Sequence, residues 1–311
     1  MNGSQSLPAR RILLIANPIS GGGKGRRLAP ELAAALQAHG FATEVYLTRA
    51  AGDATARARA AGAEPWHALV AIGGDGTVNE VLNGMPDPSR PLAVLPVGTA
   101  NVLAMELKLP RTPRALAELL ARDERRELAI GRCGERRFLL FCGVGVDGAV
   151  VERLSQVRTG TLGKHKWLGP ILHTTRHWPQ FTLRATFADG EVLDGLSSVL
   201  VTRVRNYGGV LRLCREVDVD SGQLHVQCFR MRSRTAWLWQ GLRGVFGRMR
   251  AGRSLAMRTT TSVRIEGEAP FQIDGDFGGR SPIDCVVLAE RAVLFAPLRP
   301  ARHRPGTKPP R

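Results

Sequence analysis

The chain has 311 residues, which is too long for one ordinary hydrophobic core and favours two domains. Its hydrophobic content of 43% is normal for a globular protein, and no run approaches the roughly 18 apolar residues of a membrane-spanning helix. The net charge of +17 favours an anionic partner: nucleic acid, an anionic membrane surface or a phosphorylated substrate. Charge alone does not choose among these, because arginine can also serve simply as the solubilising residue.

Two further features bear on the compartment. Residues 1–10 are polar and lack an apolar segment, so no secretory signal is expected. The five cysteines are odd in number, widely spaced and without a C-x-x-C pair, which argues against a zinc knuckle or a disulfide framework. Together they predict a protein of the reducing cytoplasm.

The first third of the chain alternates apolar runs with helical patterns. Strands are predicted over four short apolar runs, at 11–17, 43–47, 68–72 and 92–95. Predicted helices follow them, at 28–39 with a stop at Gly40, at 53–61 with Asp53 as N-cap, from 79, and at 101–107. This alternation predicts a parallel, doubly wound, nucleotide-binding α/β domain over residues 1–126, with its ligand at the carboxyl ends of the strands.

From about Glu127 the pattern changes to short apolar or alternating runs separated by Gly, Asp and Ser. The strands predicted there lie at 138–142, 181–187, 198–204, 224–229, 262–265 and 286–288. The pattern predicts a mostly antiparallel β-sandwich as the substrate domain, over residues 127–298. Basic inserts that carry tryptophans interrupt it at 158–180 and 230–253, and the basic, proline-rich tail at 299–311 is expected to be disordered.

The first candidate phosphate loop is N-P-I-S-G-G-G-K-G at 17–25, between the first strand and the first helix. Its glycines let backbone amides approach an anion closely, and the following helix N-terminus adds a favourable dipole. It is not a Walker A motif, because Gly25 stands where Ser or Thr is required, and Arg26 replaces the last glycine of G-x-G-x-x-G. Alone, it fits a phosphate loop and a plain strand-to-helix turn equally well.

Two more loops follow strand ends. In G-G-D-G-T-V-N-E at 73–80, Thr77 offers a hydroxyl and Asp75 can hold Mg²⁺ or orient a nucleophile. Three glycines around one Asp exceed what a helix cap needs, so a functional loop is favoured. The third loop, L-P-V-G-T-A-N at 95–101, repeats the theme with Thr99. Because all three loops leave strand ends of one doubly wound sheet, we expect them to converge on one crevice.

In this order and spacing, NPISGGGKG, GGDGTVNEVLNG and LPVGTANVLAMEL resemble the diacylglycerol kinase catalytic domain family, in particular its bacterial diacylglycerol, sphingosine and phosphatidylglycerol kinase-like members. The resemblance continues through GVGVD at 143–147, NYGG at 206–209 and FQIDGD at 271–276, and so covers nearly the whole chain. NAD kinases share the GGDGT loop, but the third loop and the late Asp-Gly-acid motif point to the lipid kinases. The family implies ATP-dependent phosphorylation of a lipid hydroxyl, of diacylglycerol, a sphingoid base or a related alcohol, in a cleft between two domains.

The resemblance also implies roles for individual residues. Nucleotide contacts are expected at Asn17, Ser20, Gly21, Gly22, Gly23, Lys24, Thr48, Gly74, Asp75, Gly76, Thr77, Val78, Asn79, Glu80 and Thr99. Asp75 would meet Mg²⁺ through ATP. Asp274 resembles the general base that takes the proton of the acceptor hydroxyl, and Asp276 stands where the family usually has Glu, as a shorter acid that can assist. From the residues alone, Asp274-Gly275 is better interpreted as a hairpin turn.

A second metal site is implied by the family, whose members often carry an Asp-Asp-Gly segment that binds a structural Mg²⁺. The corresponding segment here is D-V-D-S-G at 218–222, with Ser221 where the ligating Asp is expected. Asp218, Asp220 and Gln223 remain as candidate ligands, with one carboxylate fewer for a hard cation. His173 and His177 have metal-chelating i, i+4 spacing, but a solvated pair is favoured because no acid or cysteine lies near. Asp147 fits a turn residue and a cleft residue equally.

A lipid acceptor lies in a bilayer, so the resemblance implies docking on a membrane. Segment 230–253 interleaves arginines with Trp237, Trp239 and Phe246, and with 164–167 it is predicted to form a peripheral face toward anionic lipid. A helix with its tryptophans in the core explains the segment equally well. No nucleic acid partner is expected, because no RNA- or DNA-binding module is present. The alternatives are an NAD kinase-like enzyme and a non-catalytic nucleotide- or lipid-binding regulator, and retention of Asp75 and Asp274 argues against the regulator.

Overall fold

The computed structural model describes residues 10–157, 167–209, 211–213 and 217–299. The basic segment at 164–166 and the tail from residue 300 therefore lie outside the described residues. In the part of the chain that the structure describes, no helix is both long and apolar enough to cross a membrane.

The first part of the chain forms the predicted parallel α/β unit. Its elements are β1 (Arg11–Ala16), α1 (Ser20–Gln37), β2 (Ala42–Leu47), α2 (Asp53–Ala60), β3 (Ala68–Gly73), α3 (Asp75–Gly84), β4 (Leu92–Pro96), α4 (Val102–Leu107) and α5 (Pro113–Ala121). The strands are parallel in the order β2-β1-β3-β4. This order confirms the α/β fold class.

Helices cover both faces of this sheet, because side chains on a strand alternate in direction. On β1, Ile12 and Leu14 belong to the buried cluster that includes α1 and α5. Leu13 and Ile15 instead belong to the cluster that includes α2 and α3. Both faces are therefore apolar, as expected for a doubly wound sheet.

Several local predictions in this unit differ from the structure: α1 begins at Ser20 rather than at residue 28, and α5 was not predicted. Helix α3 begins at Asp75, four residues earlier than predicted, because Gly76 in its first turn and the two glycines before it hid the helical pattern. Asp53 is not an N-cap: the cap residue is Gly52, in the left-handed conformation. The Asp53 carboxylate instead accepts the Arg49 amide at 2.8 Å and the Tyr46 hydroxyl at 2.7 Å, both from the preceding loop and strand.

The rest of the chain is rich in antiparallel strands. Its elements are β5 (Arg125–Cys133), β6 (Arg136–Phe138), β7 (Phe141–Gly145), α6 (Val146–Val157), α7 (Leu168–Arg176), β8 (Leu183–Phe187), β9 (Val192–Leu196), β10 (Ser198–Thr202), β11 (Asn206–Tyr207), β12 (Leu211–Arg212), β13 (Leu224–Phe229), α8 (Arg234–Val245), β14 (Leu255–Thr260), β15 (Ser262–Glu266), β16 (Pro270–Ile273), β17 (Asp276–Arg280) and β18 (Ile283–Phe295). Among the described residues, one sheet has the order β14-β13-β10-β7-β16-β17. Its inner face shares a buried cluster with β8, β15 and β18 of the other sheet, which confirms the antiparallel β-rich part of the fold.

Strand β18 joins the two parts of the molecule. It pairs antiparallel with β5 and β15, and near its end Leu294 pairs in parallel with Leu92 of β4. One sheet therefore runs through both parts, in the order β2-β1-β3-β4-β18-β15-β8-β9. The expected domain boundary at 126/127 falls inside β5, beside this join.

Three cysteines meet in the core of the β-rich part. The Cys133 sulfur lies 3.1 Å from that of Cys142 and 3.1 Å from that of Cys285, and all three are buried and free. Cys133 and Cys285 are 152 residues apart and become neighbours only through the pairing of β5 with β18. Spacing along the chain gave no sign of this cluster, because local spacing reports only local pairs.

Candidate active site

The first loop turns on three consecutive glycines in the left-handed conformation, with φ of 62° at Gly21, 70° at Gly22 and 93° at Gly23. Amides in turns of this kind form concavities that suit an anion. Gly21 also packs against the third loop, where a Cβ would lie 2.0 Å from the carbonyl oxygen of Val97. Only glycine satisfies both the backbone angle and this close approach.

The three glycine-rich loops meet at one edge of the sheet. The Asn17 amide donates to the carbonyl of Ile72 at 2.9 Å, which joins the first loop to the second. The second and third loops touch through glycines: a Cβ on Gly98 would lie 2.4 Å from the Cα of Gly74. Their order along the chain predicted this convergence at the carboxyl ends of β1, β3 and β4.

The other residues expected at the nucleotide divide into two groups. In the first group, Lys24 in α1 and Thr99 on the third loop are exposed, and Ser20 and Gly76 are half-buried at helix starts. The second group is buried and includes Thr48, which follows β2 and whose amide donates to the Ala16 carbonyl at 2.9 Å. Val78 and Thr77 are buried, and Thr77 packs over Gly73. Burial raises the pKa of the Glu80 carboxyl, and the backbone amides of Gly52 and Ala54 at the start of α2 oppose the shift.

Asp75 ties the second loop to the third. Its carboxylate accepts the amide of Val102 at 3.0 Å and that of Leu103 at 3.2 Å, at the start of α4. Burial raises the pKa of Asp75, while these amides oppose the shift. A carboxylate has about four lone-pair sites, so Asp75 fits both this contact and one to nucleotide-bound Mg²⁺.

Asp274 occupies the turn between β16 and β17, with a positive φ of 50°. Its carboxylate accepts four hydrogen bonds, from Asn79 Nδ2 at 2.9 Å and from the amides of Leu139 at 3.3 Å, Leu140 at 3.2 Å and Phe141 at 2.9 Å. The side chain is buried, with only 7% of the residue exposed. Burial raises the pKa of Asp274 to about 7; the amides of Phe141 and Leu139 oppose the shift, and nearby Asp75 adds to it.

These hydrogen bonds explain a boundary that the sequence pattern missed. The single strand predicted at 138–142 is two strands, β6 and β7, with a break at residues 139 and 140. The chain breaks there because the amides turn toward Asp274 rather than toward a neighbouring strand.

Asp276 begins β17 and has a more open environment. Its side chain is 33% exposed and pairs with Arg136 Nη2 at 3.1 Å. The same guanidinium donates through Nε to Asn79 Oδ1 at 2.8 Å, so Arg136 links Asp276 to the partner of Asp274. Asp276 Oδ2 lies 3.4 Å from the position that a Cβ on Gly76 would take, beside the first turn of α3.

Asp147 lies behind the turn of Asp274. It accepts Gln272 Nε2 at 2.8 Å on one carboxylate oxygen and the Tyr207 hydroxyl on the other. Gln272 Oε1 in turn accepts the amide of Gly275 at 2.8 Å. Burial raises the pKa of Asp147. Arg136, Gln272 and Tyr207 were missed as site residues, although the last two lie within the motifs FQIDGD and NYGG.

The residues expected to hold a structural Mg²⁺ do not fit a hard cation. Asp220 pairs with Arg126 at 2.8 Å, and Arg299 contacts both Asp218, at 2.6 Å, and Asp220, at 3.0 Å. The Gln223 carbonyl accepts a hydrogen bond from Arg203 at 2.8 Å. Mg²⁺ requires near-octahedral oxygen ligands, and these oxygens are already engaged by arginines.

Among the residues that the structure describes, no acid or cysteine joins the His173–His177 pair. Their ring centroids lie 4.3 Å apart, and His177 Nδ1 lies 3.1 Å from the carbonyl oxygen of His173. Within residues 10–157, 167–209, 211–213 and 217–299, the potential metal-ligating side chains that cluster are Cys133, Cys142 and Cys285. The pair therefore remains a surface feature of α7.

Known proteins resemble this chain in sequence and in fold. The sequence profile of the family described as "Diacylglycerol kinase catalytic domain" matches residues 11–133. A protein named diacylglycerol kinase from Staphylococcus carnosus (strain TM300) is 27% identical over 93% of this chain and 95% of its own. One of the same name from Staphylococcus aureus (strain MRSA252) is 28% identical over 93% of each chain.

Solved structures share the fold of this chain. A crystal structure of a diacylglycerol kinase from Bacillus anthracis (strain Sterne) has a TM-score of 0.69 at 21% identity and covers 94% of this chain and 98% of its own. A second structure from that organism has a TM-score of 0.75 at 22% identity and covers 94% and 99%. The profile match and the relatives confirm the resemblance that the motifs indicated: residues 11–133 match the profile of the diacylglycerol kinase catalytic domain, and the solved structures share the fold.

Proposed function

We propose that this chain is an ATP-dependent kinase that phosphorylates a hydroxyl group of a membrane lipid. One observation carries the proposal: the acid of the β-rich part, Asp276, lies beside Gly76 in the loop that closes the nucleotide edge of the α/β part. Phosphoryl transfer needs donor and acceptor oxygens held in line, with little covalent work for the protein. A phosphate on the glycine loops and a hydroxyl at Asp276 would be neighbours.

The nucleotide side has the groups that phosphate binding requires. The amides of Gly21 and Gly22 and those at the start of α3 offer donors, whereas the Gly23 amide donates to the Ile19 carbonyl at 3.4 Å. Lys24 is exposed next to this turn and can neutralise phosphate charge. Mg²⁺ bound with ATP near Asp75 would supply charge neutralisation during transfer.

We assign the two acids different roles. A general base must be ionised and must reach the acceptor hydroxyl. Each oxygen of Asp274 already accepts two hydrogen bonds, which together fill the roughly four lone-pair sites of a carboxylate. Asp276 is open to solvent and held by Arg136. This contrast supports Asp276 as the group that takes the proton and Asp274 as the group that fixes the turn, the reverse of the expectation from sequence.

The acceptor class can be tested with radiolabelled ATP. Diacylglycerol, sphingosine, ceramide, phosphatidylglycerol, a polyprenol and NAD would be offered in turn, with Mg²⁺. Label in a lipid alcohol is the expected result. Label in NAD alone would favour the NAD kinase alternative, and ATP binding without transfer to any acceptor would favour a non-catalytic regulator.

Helix α8 supports action at a membrane surface. Its exposed apolar side chains form one face, which we call the α8 face, of Leu238, Trp239, Leu242, Val245 and Phe246. Trp239 is 60% and Phe246 63% exposed, whereas Trp237 packs into the core, its ring centroid 5.9 Å from that of Trp178. Each of the two opposed sequence interpretations thus fits one tryptophan. Exposed arginines at 232, 234, 248, 250 and 253 flank the face and suit anionic headgroups.

Vesicle flotation tests the α8 face. We expect the wild-type chain to float with anionic vesicles at low salt. With zwitterionic vesicles it should remain unbound in the bottom fraction. Trp239→Ala with Phe246→Ala should weaken binding roughly tenfold, because apolar area enters the interface. Val192→Ala is the matched control, since Val192 is 44% exposed on β9. Unchanged flotation of the double variant would remove the α8 face from the proposal, without touching the kinase assignment.

A further inference from the structure

The loop before β13 is built around a buried arginine. Arg203, the residue after β10, is fully buried. Its guanidinium donates to three carbonyl oxygens of the loop, those of Val219, Ser221 and Gln223, each at 2.8 Å. Carbonyl oxygens gathered in this way are the ligands that a hard cation uses in proteins, and here they surround a guanidinium.

Other oxygens of the loop, those of Asp218 and Asp220, are also engaged. The Ser221 hydroxyl donates to the Asp218 carbonyl at 2.7 Å, and Arg291 Nη1 donates to the Asp220 carbonyl at 3.2 Å. The two carboxylates, of Asp218 and Asp220, pair with Arg299, and that of Asp220 also with Arg126. Four guanidinium groups, those of Arg126, Arg203, Arg291 and Arg299, therefore contact the loop, and Arg203 is the one that lies on the three gathered carbonyl oxygens, where its charge would repel a divalent cation.

We propose that Arg203 takes the position of the structural cation in this loop, so that the loop folds without Mg²⁺ and the protein needs the metal only with its nucleotide. A planar guanidinium has five donors in a fixed fork, which matches three fixed carbonyls. The presence of Ser221 instead of an aspartate supports this exchange, because a singly charged arginine needs fewer carboxylates nearby than a divalent ion. Burial lowers the pKa of Arg203 only to about 10, so the group keeps its proton at neutral pH.

Thermal unfolding of the nucleotide-free protein gives the first test. The midpoint should be the same in excess Mg²⁺ and in excess chelator. A lower midpoint in chelator that Mg²⁺ restores would overturn the proposal.

Variants give the second test. Arg203→Met should lower the midpoint by roughly 5 °C or more, because it leaves buried carbonyls without donors. Combined with Ser221→Asp, which adds the missing carboxylate, it should gain a midpoint that rises with Mg²⁺. If the double variant folds and stays insensitive to Mg²⁺, the loop is not a cation position and the proposal is wrong.

Two controls separate this exchange from general effects of charge. Ser221→Asp alone keeps Arg203 and should stay insensitive to Mg²⁺; sensitivity in this variant would show that Arg203 does not block the site. Arg253→Met removes one exposed positive charge and should leave the midpoint unchanged. Should Arg203→Met fail to fold, Arg203→Lys with Ser221→Asp is the substitute, since lysine keeps the charge but not the forked donors. A midpoint that is lower than wild type and insensitive to Mg²⁺ supports the proposal. A midpoint as high as that of wild type contradicts it.

Discussion

The two sides of the candidate cleft are held rigid in different ways. On the nucleotide side, backbone meets backbone: Gly21 packs on the Val97 carbonyl, and Gly74 packs on Gly98. On the acid side, side chains meet backbone: the Asp274 carboxylate collects four donors from α3 and from the break between β6 and β7. A change on the first side should therefore act through steric overlap, and a change on the second through unpaired polar groups.

The largest expected effect separates the two acids. Asp276→Asn should lower kcat by roughly 10²- to 10⁴-fold, the usual contribution of a general base, with the ATP dissociation constant and the thermal midpoint close to wild type. Asp274→Asn should lower both kcat and the midpoint, because an amide nitrogen replaces an oxygen that accepts from Leu139 and Asn79. Steady-state kinetics and thermal unfolding on the same preparations provide the measurement.

The opposite pattern would reverse the roles. If Asp274→Asn were stable but inactive while Asp276→Asn kept wild-type turnover, Asp274 would be the base, as the sequence indicated. Asp284→Asn is a suitable control, because Asp284 is an exposed acid of β18 paired with Arg264 at 3.1 Å, and its change should leave kcat unaltered.

A smaller effect is expected on the nucleotide side. Gly21→Ala adds a Cβ at a φ of 62° and within 2.0 Å of the Val97 carbonyl oxygen. We expect ATP affinity, measured by titration calorimetry, to fall roughly 10- to 100-fold, since left-handed strain alone costs about 1–3 kcal/mol. Gly40→Ala meets a similar backbone angle, φ 82°, at the far end of α1 with no atom in the way. It should lower stability and leave ATP affinity unchanged; equal loss in both variants would refute the contact argument.

The same contrast explains what the sequence could predict. The glycine loops are local, since each strand end, turn and helix start lies within about ten residues, so their positions and convergence followed from pattern and order. The acid side depends on distant partners: Asn79 and Asp274 are 195 residues apart, and Arg136 and Asp276 are 140 apart. The resemblance supplied Asp274 and Asp276 as site residues, but no spacing rule could supply Arg136, or the arginines that fill the 218–223 loop.

Asp274 should also make stability depend on pH. Its pKa is about 7 in the folded protein and near 3.8 when unfolded, so the folded state holds the proton longer. The group therefore contributes stability that is complete below about pH 4 and is lost as the pH rises through 7. Over that window the free energy of unfolding of wild type, relative to Asp274→Asn, should fall by up to about 4 kcal/mol. Urea unfolding at several pH values measures this difference; a difference that does not change with pH would show that Asp274 is ionised throughout.

The smallest effect is expected behind the acid turn, at Asp147. Asp147→Leu leaves Gln272 Nε2 without its acceptor, so the Gln272 side chain that accepts the Gly275 amide is no longer fixed. The turn that carries Asp274 is then less well held, and we expect kcat to fall roughly 3- to 10-fold with KM for ATP unchanged. Tyr207→Phe removes the other bond to Asp147 but leaves Gln272 oriented, so it should cost less activity. If Tyr207→Phe cost as much as Asp147→Leu, the effect would come from the burial of Asp147 rather than from the path through Gln272 to Gly275.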